Sequence, residues 1–371
     1  METKKEPIFT AIMLSRLSCQ GITEKGSSNV HNRCFDHASS DAYTIMNYRT
    51  LGCTGLRVSE IGFGAWGIGG VNQGAISYGP TDDTESREAL KCAFDLGITF
   101  YDTADLYGHG HSERLIGETF KEIRNRVVIA SKGGLLDQNG HQDFSPAHIE
   151  MSVDGSLKRL QSDYIDVYQL HDPPLASLGN AEEIVDTLQS LERAGKIRSW
   201  GISVRCPDDG LLAIEHFGAN VLQVNFNMAD QRMLLNGLMG LCETKRVGLI
   251  CRTPLCFGFL TGRYTAETEF GAYDHRSRWS SEQLDLWSAA NQRFSTIRRT
   301  EDQTDAQLAL RYCLSYPAVS TAIPGMLRKQ HVEENVDASY LGALAEEKRM
   351  KIEEVYNAHQ FYAGEKGVLK P

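Results

Sequence analysis

The residues of this sequence best suited to chemistry are an acid, a lysine, a tyrosine and a histidine. Asp102, Lys132 and His171 each stand at the end of an apolar, β-branched run, and Tyr107 follows Asp102 by five residues in a glycine-flanked loop. Such runs are typical of buried parallel strands, whose carboxyl ends meet at one face of an α/β barrel. The spacing therefore predicts that these side chains share a site.

This set of side chains is suited to moving a proton to or from a carbonyl oxygen. A tyrosine with an ordinary pKa of about 10 is a poor acid unless its phenolate is stabilised. Lys132 beside Tyr107 would supply that stabilisation through its charge. Asp102 would hold the ammonium charged and oriented, and His171 would orient the carbonyl and help relay the proton. Reduction of a carbonyl also needs a hydride, and no side chain donates one. We therefore expect a cofactor to supply the hydride, with neither a metal nor a covalent intermediate.

The motifs around these residues, DTADLYG, ASK and QLH in that order, resemble the catalytic tetrad of the aldo-keto reductase superfamily. The resemblance covers residues 46–360. It implies an NAD(P)H-dependent oxidoreductase that interconverts an aldehyde, ketone or sugar carbonyl with an alcohol on a TIM barrel. It also implies that Tyr107 is the general acid in reduction and the general base in oxidation, and that Trp66, Tyr107 and His171 contact the substrate.

The alternation of strand and helix patterns predicts an α/β fold of eight βα units, the number that closes a (β/α)8 TIM barrel. The predicted strands are residues 61–66, 98–102, 127–131, 164–170, 198–203, 221–226, 247–252 and 318–323. The predicted helices are residues 82–96, 112–122, 146–160, 181–194, 208–217, 234–245, 303–315 and 329–337. An N-terminal β-hairpin at 48–59, a long loop after strand 7 at 256–300 and an extra C-terminal helix at 343–358 complete the prediction.

Length and composition limit the domains and partners of the chain. Of its 371 residues, 41% are hydrophobic, which suffices for one barrel over residues 46–371, and no apolar run reaches the roughly 18 residues of a membrane span. Residues 1–45 lack a pattern and are predicted to be a poorly ordered N-terminal extension. The net charge of −10 disfavours nucleic acid and anionic membranes as partners. The partner that the resemblance implies is a small-molecule carbonyl or alcohol. No oligomeric state is predicted.

The cysteines point to a reducing compartment. The chain has nine cysteines and no C-x-x-C pair. An odd number without paired spacing predicts reduced, mostly buried thiols in the cytoplasm, and gives no support for a zinc site.

The run from Gly62 to Gly67 matches G-x-G-x-x-G, and Asp82 supplies an acid about twenty residues further on, as in a Rossmann dinucleotide site. That site needs a helix to begin at the glycines so that its N-terminus faces the pyrophosphate. The following residues have no helical period and several helix breakers. We therefore interpret the motif as the first barrel strand and its loop, with Trp66 and Tyr78 facing the pocket.

The resemblance also implies where a nicotinamide would lie. Ser203 and Gln223 resemble the residues that contact its carboxamide. Arg252 stands where the family commonly has an aromatic that stacks on the nicotinamide, and a planar guanidinium can stack as well. Val204 stands where the family usually has Asn or Arg, which leaves Arg205 as the candidate replacement.

The remaining implied cofactor contacts lie in two segments. A small-residue loop after strand 7 resembles a pyrophosphate site, and the helix start near residue 328 resembles the adenosine site. Arg328 and Lys329 would pair there with a 2′-phosphate, which favours NADP(H) while NAD(H) stays possible. The predicted cofactor contacts are Trp66, Asp102, Ser203, Gln223, Arg252, Pro254, Leu255, Gly258, Leu260, Gly262, Arg263, Gly325, Arg328, His331, Glu334 and Asn335.

Two other functions fit part of the pattern. A regulatory protein that holds a nucleotide without turnover would resemble the channel β-subunits of the superfamily, although those tend to lack the histidine that His171 supplies. A TIM-barrel lyase or isomerase would use Lys132 as a Schiff-base amine. His109 and His111 resemble a metal-binding pair but lack an accompanying carboxylate pattern, so we interpret them as loop residues.

Overall fold

A computed structural model of the chain describes residues 46–298 and 303–364. The segment 1–45, predicted to be poorly ordered, lies outside the described residues. The description begins with strand β1 (Tyr48–Thr50), which pairs antiparallel with β2 (Arg57–Ser59). This pairing confirms the predicted hairpin.

Eight parallel strands form one sheet and confirm the predicted (β/α)8 fold. In chain order they are β3 (Phe63–Gly64), β4 (Phe100–Asp102), β5 (Val128–Gly133), β6 (Ile165–His171), β7 (Ile197–Ser203), β8 (Val221–Asn225), β9 (Gly248–Arg252) and β10 (Val319–Ala322). Each strand pairs in parallel with the next one in the chain. Parallel bridges from Ile61 to Ala322 and from Gly64 to Gly325 bring the first and last strands together, so the sheet closes on itself.

Side chains alternate between the inside and the outside of this sheet because successive residues of a strand face opposite ways. The buried residues that fill the barrel form an inner cluster, which includes Phe100 of β4. Tyr101 of the same strand packs outside the barrel against Phe120, with ring centroids 4.5 Å apart. Leu51 and Val58 of the hairpin region join the inner cluster and are fully buried. The hairpin therefore closes the end of the barrel opposite to the strands' carboxyl ends.

The helices agree with the predicted pattern except in two places. They are α1 (Asp83–Asp95), α2 (His111–Phe120), α3 (Pro146–Leu160), α4 (Ala181–Arg193), α5 (Pro207–Glu215), α6 (Arg232–Leu235), α7 (Leu238–Lys245), α8 (Ser281–Ser288), α9 (Ala290–Arg298), α10 (Asp305–Leu314), α11 (Lys329–Leu341) and α12 (Glu346–Ala358). The single helix predicted at 234–245 is instead α6 and α7, because Gly237 between them adopts a left-handed φ of 83°.

The segment predicted as a long loop at 256–300 contains helices α8 and α9. Trp287 of α8 is fully buried, with ring centroids 5.1 Å from Phe257 and 5.8 Å from Phe259. The two helices have eight and nine residues, and the loop prediction overlooked the helical spacing of their buried residues, Gln283, Trp287, Ala290, Phe294 and Ile297. Below, we refer to residues 256–298 as the insert.

The described ranges bear on two predictions from composition. No helix within them is long and apolar enough to cross a membrane. The seven cysteines within them are all free thiols, as their spacing predicts.

Candidate active site

The predicted acid, lysine and histidine lie at the carboxyl ends of three neighbouring strands. Asp102 ends β4, Lys132 is the penultimate residue of β5, and His171 ends β6. The Nζ of Lys132 donates hydrogen bonds to Asp102 Oδ1 at 2.6 Å and to the Tyr107 hydroxyl at 3.2 Å. It also donates to the Thr103 carbonyl oxygen at 2.8 Å. The structure thus joins three of the four residues in one hydrogen-bonded chain.

Two glutamines hold the other oxygen of Asp102. Gln223 on β8 donates to Asp102 Oδ2 at 2.7 Å, and Gln169 on β6 approaches it at 3.4 Å. Sequence reasoning placed Gln223 at the cofactor and missed Gln169, although its position two residues before His171 puts it on the same face of β6. The Lys132 side chain is fully buried, so this network keeps both members of the ion pair satisfied.

The pKa values of Tyr107 and Lys132 show that both side chains hold their protons. Burial raises the pKa of Tyr107 above its ordinary value, and the charge of Lys132 opposes part of that rise. Burial would lower the pKa of Lys132, but Asp102 and Tyr107 outweigh it and hold that pKa above its ordinary value. The pKa of Tyr107 therefore moves in the direction opposite to the increased acidity expected from the sequence. The cost of removing a phenolate from water exceeds the stabilisation that the Lys132 ammonium provides. Tyr107 is therefore a protonated phenol beside a charged ammonium.

His171 stands edge-on to Tyr107, with ring centroids 5.9 Å apart and an interplanar angle of 80°. Burial lowers the pKa of His171 to about 3, so the imidazole is neutral near pH 7. Its Nδ1 is buried and has no hydrogen-bond partner among the described residues. We assign the ring proton to Nε2, because an unpartnered buried N–H is rarer than an unpartnered acceptor.

Most of the predicted site residues line one cavity of about 530 Å³. Tyr107 and His171 line it together with Tyr78, which the sequence also predicts to face the pocket. The predicted cofactor residues that line the same cavity are Trp66, Asp102, Gln223, Arg252, Pro254, Leu255, Gly258, Arg263, Gly325, His331, Glu334 and Asn335.

The other predicted site residues lie outside the cavity lining. Lys132 and Ser203 sit behind it and contact Tyr107 and Arg252, respectively. Leu260 is fully buried in the hydrophobic core. Gly262 ends a turn with a left-handed φ of 72°. Arg328 is exposed and pairs with Glu85 at 3.4 Å.

Sequence reasoning missed a charged network at the ends of β6 and β9. Asp172 accepts a hydrogen bond from Ser203 at 3.2 Å and pairs with Arg252 at 3.1 Å and with Arg205 at 3.4 Å. Burial would raise the pKa of Asp172, but Arg252, the neighbouring His171 and Arg205 outweigh it and hold that pKa below its ordinary value. The signal available in the sequence was that Asp172 directly follows His171; in the structure Asp172 adopts a left-handed φ of 53°. The network fixes the guanidinium of Arg252 at the cavity wall.

Aromatic side chains from two distant segments form another wall of the cavity. Trp66 and Tyr78, with ring centroids 5.2 Å apart, follow β3, and His275 comes from the insert. The His275 ring lies 4.5 Å from that of Trp66 and 4.9 Å from that of Tyr78. The His275 N–H donates to the Ser77 carbonyl oxygen at 2.9 Å, which ties the insert to the loop after β3. The insert thus contributes to the cavity wall, as loops of this length often do.

The residues predicted to contact adenosine gather at the start of α11. His331 lines the cavity, and its Nδ1 accepts a hydrogen bond from the Leu327 N–H at 3.2 Å. Glu334, also on α11, pairs with Arg263 of the insert at 3.1 Å. This pair brings the predicted pyrophosphate loop and the predicted adenosine helix together. By contrast, His111, part of the metal-like pair, contacts Asp83 at 2.8 Å on the surface.

A buried carboxyl group in the loop between Asp102 and Tyr107 should make stability depend on pH. Burial raises the pKa of Asp105 to about 7, and Oδ1 of this carboxyl has no partner among the described residues. A raised native pKa means that the folded state holds a proton that the unfolded state loses. The unfolding free energy should therefore fall as pH rises from the ordinary aspartate value to about 7.

Asp105→Asn should remove this loss. Denaturant titrations should show that the wild type loses on the order of 3 kcal/mol of unfolding free energy relative to this variant between pH 5 and pH 8. Asp186→Asn, at an exposed position on α4, provides the control and should leave the pH dependence unchanged. Parallel pH profiles for the wild type and Asp105→Asn would contradict the assignment.

The fold and the site define a (β/α)8 enzyme with titratable groups gathered at the carboxyl ends of its strands. The sequence model of the Aldo/keto reductase family matches residues 60–357. The chain belongs to the aldo/keto reductase family and is an NAD(P)H-dependent oxidoreductase.

Several relatives cover most of the chain. Aldo-keto reductase YhdN of Bacillus subtilis is 33% identical over 78% of this chain and 87% of its own length. L-galactose dehydrogenase of Arabidopsis thaliana is 32% identical over 80% of this chain and 88% of its own length. A "Probable voltage-gated potassium channel subunit beta" of Arabidopsis thaliana is 31% identical over 79% of this chain and 91% of its own length. Among solved structures, the holo form of aldo-keto reductase AKR11C1 from Bacillus halodurans has a TM-score of 0.69 and 28% identity, covering 86% of this chain and 99% of that one.

Proposed function

We propose that this chain is an NADP(H)-dependent oxidoreductase that interconverts a carbonyl and an alcohol, with Tyr107 as the general acid and base. The observation that carries the proposal is the position of the Lys132 ammonium, which is hydrogen-bonded to both Asp102 and the Tyr107 hydroxyl. A buried ion pair of this kind places a fixed positive charge beside the phenol that must release a proton.

In the direction of reduction, Tyr107 donates its proton to the carbonyl oxygen as negative charge develops there. Lys132 lowers the cost of the phenolate left behind, and so offsets part of the burial that raises the pKa of Tyr107. His171, neutral with its proton on Nε2, donates a hydrogen bond to the same oxygen and orients the substrate. In oxidation, Tyr107 takes the proton back. The bound nicotinamide supplies or accepts the hydride.

The cavity fits such a cofactor. It is continuous from the catalytic residues to His331 and Asn335 of α11, and its volume lies in the range of small-molecule sites. Gln223 lines the cavity, and none of the described donors reaches its Oε1, which leaves an acceptor for the nicotinamide carboxamide. Thr253, Cys256 and Phe257 adopt left-handed φ values of 52°, 47° and 55°, a cluster of backbone strain typical of ligand-binding loops.

The preference for NADP(H) rests on cations near α11. Arg328 is 63% exposed and pairs with Glu85 at 3.4 Å. An exposed ion pair of this length contributes little, so a 2′-phosphate can replace it with a stronger, charge-assisted contact. Lys329, the first residue of α11, adds a second cation.

Arg328→Ala should therefore raise the Kd for NADPH by about tenfold and leave the Kd for NADH within about twofold. Isothermal titration calorimetry measures both constants. Glu85→Gln, which removes the competing carboxylate, should not weaken NADPH binding. Equal wild-type affinities for NADPH and NADH would overturn the preference.

The overall proposal is tested by NADPH oxidation with a panel of aldehydes, ketones and sugars, followed by absorbance. Turnover that depends on the carbonyl supports it. The free thiols fit the expectation of a cytoplasmic setting, where NADPH is available.

A nucleotide-binding regulatory subunit is the second candidate, because a relative at 31% identity is named as a channel subunit beta. Purified protein that carries nucleotide but shows no carbonyl-dependent oxidation would favour it. A Schiff-base lyase has less support, since Lys132 is fully buried and its raised pKa keeps the amine charged and non-nucleophilic.

A further inference from the structure

The guanidinium of Arg252 is held by the protein along its edges. Its Nε donates to Asn225 Oδ1 at 2.9 Å, and its Nη2 donates to the Val204 carbonyl oxygen at 2.8 Å. Its Nη1 donates to Ser203 Oγ at 3.1 Å and pairs with Asp172 Oδ1 at 3.1 Å. Arg252 also lines the cavity, with 17% of its side chain exposed. Because these contacts engage four of the five N–H groups, the part of this cation left for a bound molecule is mainly its flat face.

The charges around this face leave an excess of positive charge. Asp172 is the shared partner of both Arg252 and Arg205, so two cations face one carboxylate. The ion pair of Lys132 with Asp102 cancels, and the pKa of His171 keeps that ring neutral. These six residues therefore leave one net positive charge at the end of β9.

A nicotinamide responds to this charge differently in its two redox states. The oxidised ring is positively charged, and acceptance of a hydride, with its electron pair, removes that charge. A cation facing the ring repels the oxidised form and attracts the electron-rich reduced form. An aromatic side chain at the same place would attract the oxidised ring instead, because its face is negative.

We propose that Arg252 makes this protein bind the reduced nicotinamide nucleotide more tightly than the oxidised one. The inference rests on the proposed cofactor and adds a redox preference to the proposed site. The protein is populated with NADPH and releases NADP⁺ readily, whereas the equilibrium for hydride transfer on the protein shifts towards NADPH. Asp172 acts as a positioning residue that holds Arg252 and moderates its charge.

The test is to measure the Kd of NADPH and of NADP⁺ for the full-length protein by calorimetry, without any substrate. The wild type should bind NADPH at least about tenfold more tightly, equivalent to about 1.4 kcal/mol. Arg252→Gln, which keeps a planar amide but removes the charge, should bring the two constants to within about twofold. Arg252→Lys should raise the Kd of both nucleotides but retain the preference for NADPH.

Asp172→Asn supplies the opposite change, since it removes the negative charge and leaves the cations in place. It should increase the ratio of the Kd of NADP⁺ to that of NADPH. If the network had a purely structural role, the variant would weaken the binding of both nucleotides equally. Arg328→Gln is the matched control: the 2′-phosphate is the same in both redox states, so the ratio should stay at the wild-type value.

A wild-type ratio within about twofold, an unchanged ratio in Arg252→Gln, or a shift of Asp172→Asn in the same direction as Arg252→Gln would each overturn the inference. Equal, measurable binding of both redox forms would defeat this inference alone. Absence of binding by either form would defeat the proposed function and this inference with it.

Discussion

Tyr107→Phe should lower kcat for carbonyl reduction by about 10³-fold, within the range for loss of a general acid. The substitution removes one hydroxyl group, so the ring still packs beside His171, and the developing oxyanion loses its proton donor. The Kd of NADPH should change by less than about threefold, because the variant removes an interaction made in the transition state. Stopped-flow single-turnover kinetics with NADPH would separate the chemical step from binding.

Tyr101→Phe is the matched control for this prediction. Tyr101 lies on β4, six residues before Tyr107, and its hydroxyl donates to the Ile98 carbonyl oxygen at 3.1 Å on the outer side of the barrel. Loss of that bond should cost about 1 kcal/mol of stability and leave kcat unchanged. Wild-type single-turnover rates in Tyr107→Phe would show that another group delivers the proton.

Lys132→Met should have the second-largest effect, because it changes both activity and stability. It removes the charge beside the phenol, and kcat should fall by at least about 10²-fold. It also leaves the buried Asp102 carboxylate without its counter-ion, with Gln223 and Gln169 as its remaining side-chain donors. Removing one partner of a buried ion pair typically costs about 3–5 kcal/mol, which denaturant titration would measure.

The double variant Asp102→Asn with Lys132→Met separates these two effects. It replaces the charged pair by neutral groups, so much of the lost stability should return. Activity should stay low, because the cation is still absent. Recovery of turnover along with stability would contradict a catalytic role for Lys132 and would leave it a structural one.

Much of the fold could be predicted from the sequence because each barrel element is encoded locally. The helix predicted at 146–160 is α3 (Pro146–Leu160), and the strand predicted at 164–170 is β6 (Ile165–His171). Buried strands and amphipathic helices have distinct periods, and eight repeats of the pair leave few ways to close a sheet. The insert was harder, because its helices are short and the helical spacing of Trp287, Ala290 and Phe294 was overlooked within a long polar stretch.

The catalytic residues could be predicted for the same reason, since a strand end fixes where its last side chain points. The pairing of Asp172 with Arg252 and of Gln223 with Asp102 could not, because local patterns place residues at strand ends but do not say which of them make contact. Asp172 and Arg252 are 80 residues apart, and Gln223 is 121 residues from Asp102. Their pairing depends on how the barrel closes, and their separate sequence contexts carry no sign of it.

The sequence by itself determined the strand and helix order, the barrel class and the identity of the four residues at the strand ends. The tertiary structure decided how those residues are charged. The sequence suggested that Lys132 would make Tyr107 more acidic, whereas burial raises the pKa of that phenol despite the neighbouring ammonium. The physical reason is that residue type and spacing set which groups can meet, but solvent exclusion and the sum of surrounding charges exist only once the chain has folded.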